Sequence, residues 1–281
     1  MPLSETIRRT LIKTEWIAGR PSIAIDREGE GPLLILLHGI GGNRTNWRAQ
    51  WRDFSKTFHC VAWDARGYGD SDDYEGPLDF EDFAHDLLRV IDDFGAGRAH
   101  LCGLSMGGQI AQCFYRLYPE RVASLILAAT FTHWGAALGD SALENYLSLR
   151  LKPLQEEDKE PRDIADAAAR ALLGPAATNA HHAQLVNSIS ALHKDSYIKT
   201  LQSAIPYDRP LKLESIKVPS LYLYGQHDPL CRPELGREMA DRTPGGRFLE
   251  IANSGHLINI EQPQAFNQAA LHFLEDVTSI R

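Results

Sequence analysis

Short, continuous apolar runs alternate with helical patterns along most of the chain. The apolar runs are LLILL (33–37), HCVAW (59–63), AHLCG (99–103), VASLILAA (122–129) and SLYLYG (220–225). Each run ends in a loop and most are followed by a helical pattern, such as QIAQCFYRLY, which Pro119 stops. Continuous apolar strands that alternate with helices are typical of a parallel sheet covered on both faces. The pattern therefore predicts an α/β fold with a mostly parallel central sheet flanked by helices.

Two segments depart from this pattern. Residues 10–27 alternate apolar and polar positions around a Gly-Arg-Pro turn, which predicts an antiparallel hairpin leading the sheet. Residues 132–214 carry a charged run, an Ala-rich stretch and the helical pattern AQLVNSISALHKDSYIKTL, without a strong strand signal. Ordinary crossover helices are the alternative, but a single crossover needs far fewer residues. We therefore predict a core of residues 1–131 and 215–281 and a helical lid of residues 132–214.

Size and charge narrow the classes of function. A length of 281 residues suits one large domain, or one domain that carries an insertion. The net charge of −8 argues against a nucleic-acid partner, because such sites need concentrated Lys and Arg, although one local Arg could still hold a small anion. The first residues lack an apolar signal region, and no later stretch has the length of a membrane span. We expect a cytoplasmic protein without membrane association.

The cysteines and most histidines predict no metal chemistry. The four cysteines show no C-x-x-C spacing and are expected to be buried free thiols. His181 and His182 are adjacent, so they face different sides of a helix, and they lack further ligands at metal spacing. His38 is expected to be a structural hydrogen-bonding residue. We therefore expect neither a metal ion nor a cofactor.

The first candidate for chemistry is Ser105 in the sequence GLSMG (103–107). This G-x-S-x-G pattern places a serine hydroxyl on a tight strand-to-helix turn that faces a cleft. A five-residue match is weak alone, but here it follows a predicted strand and precedes a helix expected to open at Gly108. That context favours a nucleophile over a structural serine in a glycine turn.

A serine hydroxyl needs a positioned base, and position selects one among the 11 histidines. His256 lies in NSGHLINIEQP, between the strand-like RFLEIA and a helix starting near Pro263. Asp228 lies in YGQHDPLCRP, in the loop that leaves the strand SLYLYG. Both follow the carboxyl ends of strands, where open α/β sheets place their sites. We predict Ser105 as nucleophile, His256 as base and Asp228 as the group that orients the base.

Acyl transfer also needs N–H donors for the developing oxyanion. The backbone N–H of Met106 is the first expected donor, because it follows the nucleophile. The second is expected from the loop HGIGG (38–42), from Ile40 or alternatively from Gly41. This loop lacks the spacing of a phosphate-binding motif.

Candidates for substrate contact are less sharply defined. Gly41 and Leu257 neighbour the expected oxyanion donor and the base, and His133 and Trp134 follow a strand at the start of the predicted lid. The Trp134 indole could donate a hydrogen bond to a substrate carboxylate. The predicted lid also carries cations that could bind an anion, although such residues are more often solvated: Arg150, Lys152, Arg162 and Arg170.

Taken together, these motifs resemble the α/β-hydrolase superfamily. The resemblance rests on HG-x-G, D-x-R-G-x-G-x-S (64–71), G-x-S-x-G-G, YGQHDP and SGH, and it covers nearly the whole chain except residues 132–214. The order Ser, Asp, His is also that of the superfamily. Asp64, Arg66 and Ser71 resemble its structural loop. The ending GHLINIEQPQAFNQAALHFL is similar to 3-oxoadipate enol-lactonases and meta-cleavage-product hydrolases.

The resemblance implies a cofactor-free hydrolase acting on a small molecule in aromatic catabolism, with a carboxylate-bearing ester or lactone as the leading substrate. Two other classes stay open. One is a C–C bond hydrolase of dienone acids, although this chain has Leu257 where those enzymes commonly carry Trp. The other is a receptor that keeps the triad and uses its pocket for binding. Oligomeric state is left open.

Overall fold

The computed structural model describes residues 13–279, and in this part of the chain eight strands form one sheet in the order β1-β2-β4-β3-β5-β6-β7-β8. The strands are β1 (Thr14–Ile17), β2 (Ile23–Glu28), β3 (Leu33–Leu37), β4 (His59–Trp63), β5 (Ala99–Leu104), β6 (Val122–Ala128), β7 (Ser220–Gly225) and β8 (Arg247–Ile251). Strands β3 to β8 pair in parallel, whereas β1 and β2 are antiparallel to each other and β2 is antiparallel to β4. The predicted α/β fold is confirmed.

The central strands explain why the sequence shows unbroken apolar runs. Every residue of β3, β5, β6 and β7 is buried. A strand covered on both faces cannot alternate apolar with polar positions. The antiparallel hairpin of β1 and β2 matches the pattern of residues 10–27, of which residues 10–12 lie outside the described part.

Eleven α-helices occur in the described part of the chain. They are α1 (Arg48–Phe54), α2 (Glu81–Asp93), α3 (Met106–Leu117), α4 (Trp134–Ala137), α5 (Asp140–Gln155), α6 (Pro161–Arg170), α7 (Asn179–Ser190), α8 (Lys194–Ala204), α9 (Pro233–Arg242), α10 (Ile258–Glu261) and α11 (Pro263–Ser279). Helix α3 packs on β3, β5 and β6, and α11 packs on β6, β7 and β8. Within residues 13–279, no helix has both the length and the apolar character needed to cross a membrane.

Helices α4 to α8 occupy the interval between β6 and β7 that the sequence predicts as a lid. The pattern AQLVNSISALHKDSYIKTL is not one helix, however, because α7 ends at Ser190 and α8 begins at Lys194. His193 between them has extended backbone angles, and its Nδ1 lies 2.9 Å from Asp73 Oδ1. The helical pattern is therefore interrupted between α7 and α8, where His193 contacts the core. The apolar pattern of the sequence does not predict this interruption.

Candidate active site

Ser105 lies at the turn between β5 and α3 with φ 55° and ψ −118°. Such angles are rare for a residue with a side chain and persist only where the surroundings enforce them. A Cβ added to Gly103 would lie 2.3 Å from the Gly107 oxygen, and one added to Gly107 would lie 2.1 Å from the Leu37 oxygen. The two glycines of G-x-S-x-G therefore allow strand and helix to approach. Helix α3 begins at Met106, two residues before the predicted start.

The end of β6 holds this turn from the other side. The backbone N–H of Ser105 donates to the Ala128 oxygen at 2.8 Å, and the Thr130 hydroxyl donates to the Ser105 oxygen at 2.8 Å. Ala129, which lies between Ala128 and Thr130 in the chain, has a left-handed backbone with φ 46°. The Tyr224 hydroxyl in turn donates to the Thr130 carbonyl. No sequence motif marks Thr130, although it fixes the backbone of the candidate nucleophile.

The structure brings His256 and Asp228 into direct contact. His256 Nδ1 lies 2.8 Å from Asp228 Oδ2, and both side chains are buried. The other oxygen, Asp228 Oδ1, accepts hydrogen bonds from the backbone N–H groups of Leu230 and Cys231, each at 2.8 Å. Asp228 is therefore fixed in one orientation, and the Nδ1 contact leaves Nε2 as the His256 ring nitrogen that is not engaged by the carboxylate.

One group of three potential metal ligands exists among the described residues, and it overlaps this pair. The ligating atoms of Asp228, Cys231 and His256 lie within 4.8 Å of one another. Burial, with a further contribution from Asp228, raises the pKa of the Cys231 thiol well above its ordinary value. A protonated thiol is a poor metal ligand, and His256 is already bonded to the carboxylate. The chemistry of this group favours proton transfer over metal binding.

The loop after β3 lies against Ser105. A Cβ added to Gly39 would lie 3.3 Å from the Cβ of Ser105. Among the described residues, neither the Ile40 N–H nor the Met106 N–H donates a hydrogen bond. His38 Nδ1 lies 2.8 Å from the Gly39 oxygen and braces this loop. Ile40 follows Gly39 and Met106 follows Ser105, so their free N–H groups are candidates to bind a developing oxyanion.

A largely apolar cavity surrounds these groups. It is lined by His38, Gly39, Ile40, Gly41, Gly42, Asn46, Trp47, Leu104, Ser105, Tyr146, Leu172, Leu185, Ser188, Ile189, Leu230, His256 and Leu257. Within the cavity wall, Asn46 Nδ2 donates to the Ser188 hydroxyl at 2.8 Å and joins the core to α7. Small, mostly apolar ligands with one or two polar groups fit such a cavity.

The candidates for substrate contact separate into two groups. Gly41 and Leu257 line the cavity. His133 is exposed, and neither it nor Trp134 is among the lining residues. The Trp134 ring is buried against Phe131 and Tyr146, with both ring centroids 4.8 Å away. Trp134 therefore packs against Tyr146, and it is Tyr146 that lines the cavity.

Sequence reasoning missed the whole cavity wall contributed by residues 132–214. The missed residues are Tyr146, Leu172, Leu185, Ser188 and Ile189. They belong to α5, α7 and the segment after α6, and no motif distinguishes them from other apolar or small residues. Their helical spacing predicts a buried face but not which cavity that face covers.

Residues 64–71 form a structural loop, and none of them lines the cavity. Asp64 is fully buried and forms an ion pair with Arg44, whose guanidinium also lies 2.9 Å from Asp26 Oδ1. The Ser71 hydroxyl donates to the Asp64 carbonyl at 2.7 Å. Arg66 Nε lies 2.6 Å from Asp86 Oδ2 on α2. These contacts fit the structural role that the sequence resemblance implies.

Beside this cavity lies a second, more open depression. The two share Tyr146, Leu172 and Leu230, and the second depression also contains Arg150. The Arg150 guanidinium lies 3.6 Å from the centre of the Tyr146 ring. Among the described side chains, no carboxylate lies within ion-pair distance of Arg150.

The other cations of the predicted lid are placed differently. Lys152, Arg162 and Arg170 are exposed, whereas Arg150 is half-buried. Arg170 is already paired with Asp166 at 3.0 Å. Of these four cations, Arg150 therefore combines partial burial, the lack of a carboxylate partner and a position beside the cavity.

The chain is similar to several known proteins, and these agree with the fold described above. A family model of the alpha/beta hydrolase fold matches residues 32–263. The chain is 26% identical over 245 residues to 3-oxoadipate enol-lactonase 2 of Acinetobacter baylyi, covering 86% of this chain and 88% of that protein. It is 29% identical over 254 residues to a 2-hydroxy-6-oxononadienedioate/2-hydroxy-6-oxononatrienedioate hydrolase of Burkholderia vietnamiensis, covering 86% of each. A thermophilic esterase of Thermogutta terrifontis, solved with malate bound, superimposes with a TM-score of 0.84 at 28% identity, covering 94% of this chain and 99% of that one.

Proposed function

The chain belongs to the alpha/beta hydrolase fold family, and we propose that it hydrolyses a small carboxylic ester or lactone through an acyl-enzyme on Ser105. The observation that carries the proposal is the convergence of three elements on one cavity. These are Ser105 on its strained turn, His256 hydrogen-bonded to the buried Asp228, and the loop of Ile40, whose N–H is free. The N–H of Met106, the residue after Ser105, is free as well. This is the set of groups that acyl transfer requires.

Acylation begins when His256 Nε2 takes the proton of the Ser105 hydroxyl. The Ser105 oxygen then forms a bond to the carbonyl carbon, and the carbonyl electron pair moves onto its oxygen. The N–H groups of Ile40 and Met106 bind that oxyanion. When the tetrahedral intermediate collapses, the bond to the leaving oxygen breaks, and His256 returns its proton to that oxygen.

Deacylation repeats these steps with water as the nucleophile. His256 takes a proton from water, the resulting oxygen attacks the acyl carbon, and the Ser105 oxygen leaves and is reprotonated. In a lactone the leaving oxygen stays on the same molecule as the acyl group. The product is then a single hydroxy or oxo acid.

We further propose that the substrate carries a carboxylate remote from the scissile bond, and that Arg150 binds it. A protein of net charge −8 needs a local cation to hold an anion. Arg150 is half-buried and lies beside the cavity without a carboxylate partner among the described side chains. Two relatives support this class of substrate, the enol-lactonase by its name and the esterase by its bound malate.

A C–C bond hydrolase is the second candidate, and the relative from Burkholderia vietnamiensis favours it. The same nucleophile, base and oxyanion donors would act on the ketone of a dienone acid. A ligand-binding receptor with an intact triad is the third. The three candidates differ in turnover and in the bond that is cleaved.

The test compares wild-type protein with Ser105→Ala on p-nitrophenyl acetate, an enol-lactone and a dienone acid. We expect steady turnover by the wild type and a loss of several orders of magnitude in Ser105→Ala, which keeps only the roughly 10³-fold effect of binding and oxyanion donors. Ser215→Ala, which removes an exposed hydroxyl outside the cavity, is the matched control. Near-normal turnover by folded Ser105→Ala would refute the proposal. Faster cleavage of the dienone acid would favour the C–C hydrolase, and a single covalent event without turnover would favour the receptor.

A further inference from the structure

A buried carboxylate joins the loop of His256 to the segment between α6 and α7. Glu261, the last residue of α10, is 5% exposed. Its Oε2 accepts hydrogen bonds from the N–H groups of Gly174 at 2.9 Å and Gly255 at 3.0 Å, and its Oε1 accepts one from the Leu257 N–H at 3.2 Å. Since Gly255 and Leu257 flank His256, one side chain fixes the backbone on both sides of the proposed base.

The two segments are also in direct backbone contact. The His256 N–H donates to the Leu172 carbonyl at 2.9 Å. A Cβ added to Gly255 would lie 2.2 Å from the Gly174 nitrogen, and one added to Gly174 would lie 2.5 Å from the Gly255 nitrogen. Any side chain at either glycine would therefore force the segments apart. Leu172 and Leu257 line the catalytic cavity, so this contact forms part of its wall.

Because Glu261 carries a carboxylate, its burial in this contact requires hydrogen-bond donors around it. Among the described residues, no Lys, Arg or His lies within ion-pair distance of this carboxylate. Its burial is instead compensated by three backbone N–H donors. Hydrogen bonds to an ionised acceptor are stronger than those between neutral groups, and losing one leaves an expensive buried charge. The arrangement therefore favours a single position of the His256 loop relative to residues 172–174.

We propose that Glu261 is a positioning residue that, together with Gly174, holds His256 in line with Asp228 and Ser105. Residues 172–174, in the predicted lid, thereby control catalysis through the backbone of the base. The proposal rests on the proposed role of His256 as general base. A displacement of a catalytic group by about 1 Å can cost about 100-fold in rate.

Two variants test the proposal without removing any group that takes part in the proposed reaction. Glu261→Gln keeps the shape but points an amide N–H at backbone donors, and Gly174→Ala separates the segments without changing any charge. In both we expect kcat to fall by about 10- to 100-fold. In Glu261→Gln, which adds no bulk to the cavity wall, KM should stay within about threefold, because base alignment matters in the transition state and not in substrate binding. We also expect a shifted or broadened downfield proton NMR signal of His256 Nδ1–H, which reports its bond to Asp228.

Matched controls separate this effect from general damage. Glu275→Gln removes a carboxylate from an exposed position of α11, and Gly139→Ala adds a methyl group at a position where no atom of the described residues lies within 4 Å. Both should keep wild-type kcat and NMR signal. Wild-type kcat and signal in folded Glu261→Gln and Gly174→Ala would overturn the proposal. If wild-type protein hydrolysed no ester at all, the proposed function would fail, while the His256 signal would still decide the role of Glu261.

Discussion

The Nε2 atom of His38 accepts a 3.0 Å hydrogen bond from the backbone N–H of Ala65. A ring nitrogen that accepts cannot carry a proton, so the proton of the neutral ring lies on Nδ1 and points to the Gly39 oxygen. Burial lowers the pKa of His38 from its ordinary 6.5. The imidazole behind the proposed oxyanion loop is therefore neutral, and protonation would break its bond to Ala65.

This arrangement predicts a loss of stability in mild acid. Below the unfolded pKa of about 6.5 the unfolded chain binds a proton at His38 that the folded protein resists, so the free energy of unfolding falls as pH decreases. We expect His38→Gln to be less stable than wild type at pH 8 but to lose less stability between pH 7 and pH 5. Urea unfolding at several pH values measures this. Burial also lowers the pKa of His59. Because wild type and His38→Gln both contain His59, its effect on stability is the same in the two proteins. Parallel pH dependence of the two proteins would contradict the prediction.

Arg44 should be a determinant of stability and not of chemistry. Its side chain is 8% exposed and pairs with the buried Asp26 and Asp64. Arg44→Ala leaves these carboxylates without their cation, which typically costs about 3–5 kcal/mol of unfolding free energy. Arg209→Ala, which removes an exposed partner of Asp79 and Glu81, should cost about 1 kcal/mol or less. Equal unfolding midpoints of the two variants in urea would show that the buried network contributes little.

Much of the fold could be predicted because its strands are buried on both faces. The predicted bounds of β3, β4 and β7 agree with the structure residue for residue. The turn at Ser105 was recognisable because sterics demand glycine at Gly103 and Gly107. Asp228 and His256 could be chosen because both follow strands whose carboxyl ends meet at one edge of the sheet. Local chemistry and strand order were sufficient for these elements.

The cavity wall from residues 132–214 could not be predicted in the same way. Tyr146 and Ile189 face the cavity through the packing of helices whose relative positions no short motif encodes. Trp134 was a reasonable candidate for substrate contact, yet its ring packs behind Tyr146. Glu261 lies in a recognisable segment, but its contact with Gly174 joins residues 87 positions apart. Such contacts depend on tertiary structure and leave no periodic trace in the sequence.

Asp228→Asn should be nearly as damaging as loss of the nucleophile. The amide keeps the size of the side chain but offers a neutral partner to His256 Nδ1, and a wrong ring tautomer can cost about 10⁴-fold in kcat. The triple variant of Ser105, Asp228 and His256 should be little worse than Ser105→Ala, because members of a triad act as a unit. Asp241→Asn, an exposed change on α9, is the control. Substantial kcat in Asp228→Asn would require another group to orient the base.

Selectivity for a carboxylate-bearing substrate is expected to depend on Arg150. A charged hydrogen bond contributes about 1.5–3 kcal/mol, and 1.4 kcal/mol corresponds to tenfold. In Arg150→Gln we therefore expect kcat/KM for a carboxylated lactone to fall about 10- to 100-fold. For the neutral methyl ester of the same lactone, kcat/KM should change by less than about threefold. The wild type should prefer the carboxylated lactone over both the methyl ester and p-nitrophenyl octanoate.

Arg170→Gln provides the matched control for this selectivity. It removes the same charge from the predicted lid, but at an exposed residue already paired with Asp166, so both substrates should react as with wild type. Rising salt should weaken the preference for the carboxylated lactone only modestly, because a half-buried pair is screened less than an exposed one. An equal loss for charged and neutral substrates in Arg150→Gln would mean that Arg150 only supports the Tyr146 ring. A wild-type preference for octanoate would overturn the carboxylate class itself and leave the triad untouched, because no step of acyl transfer depends on Arg150.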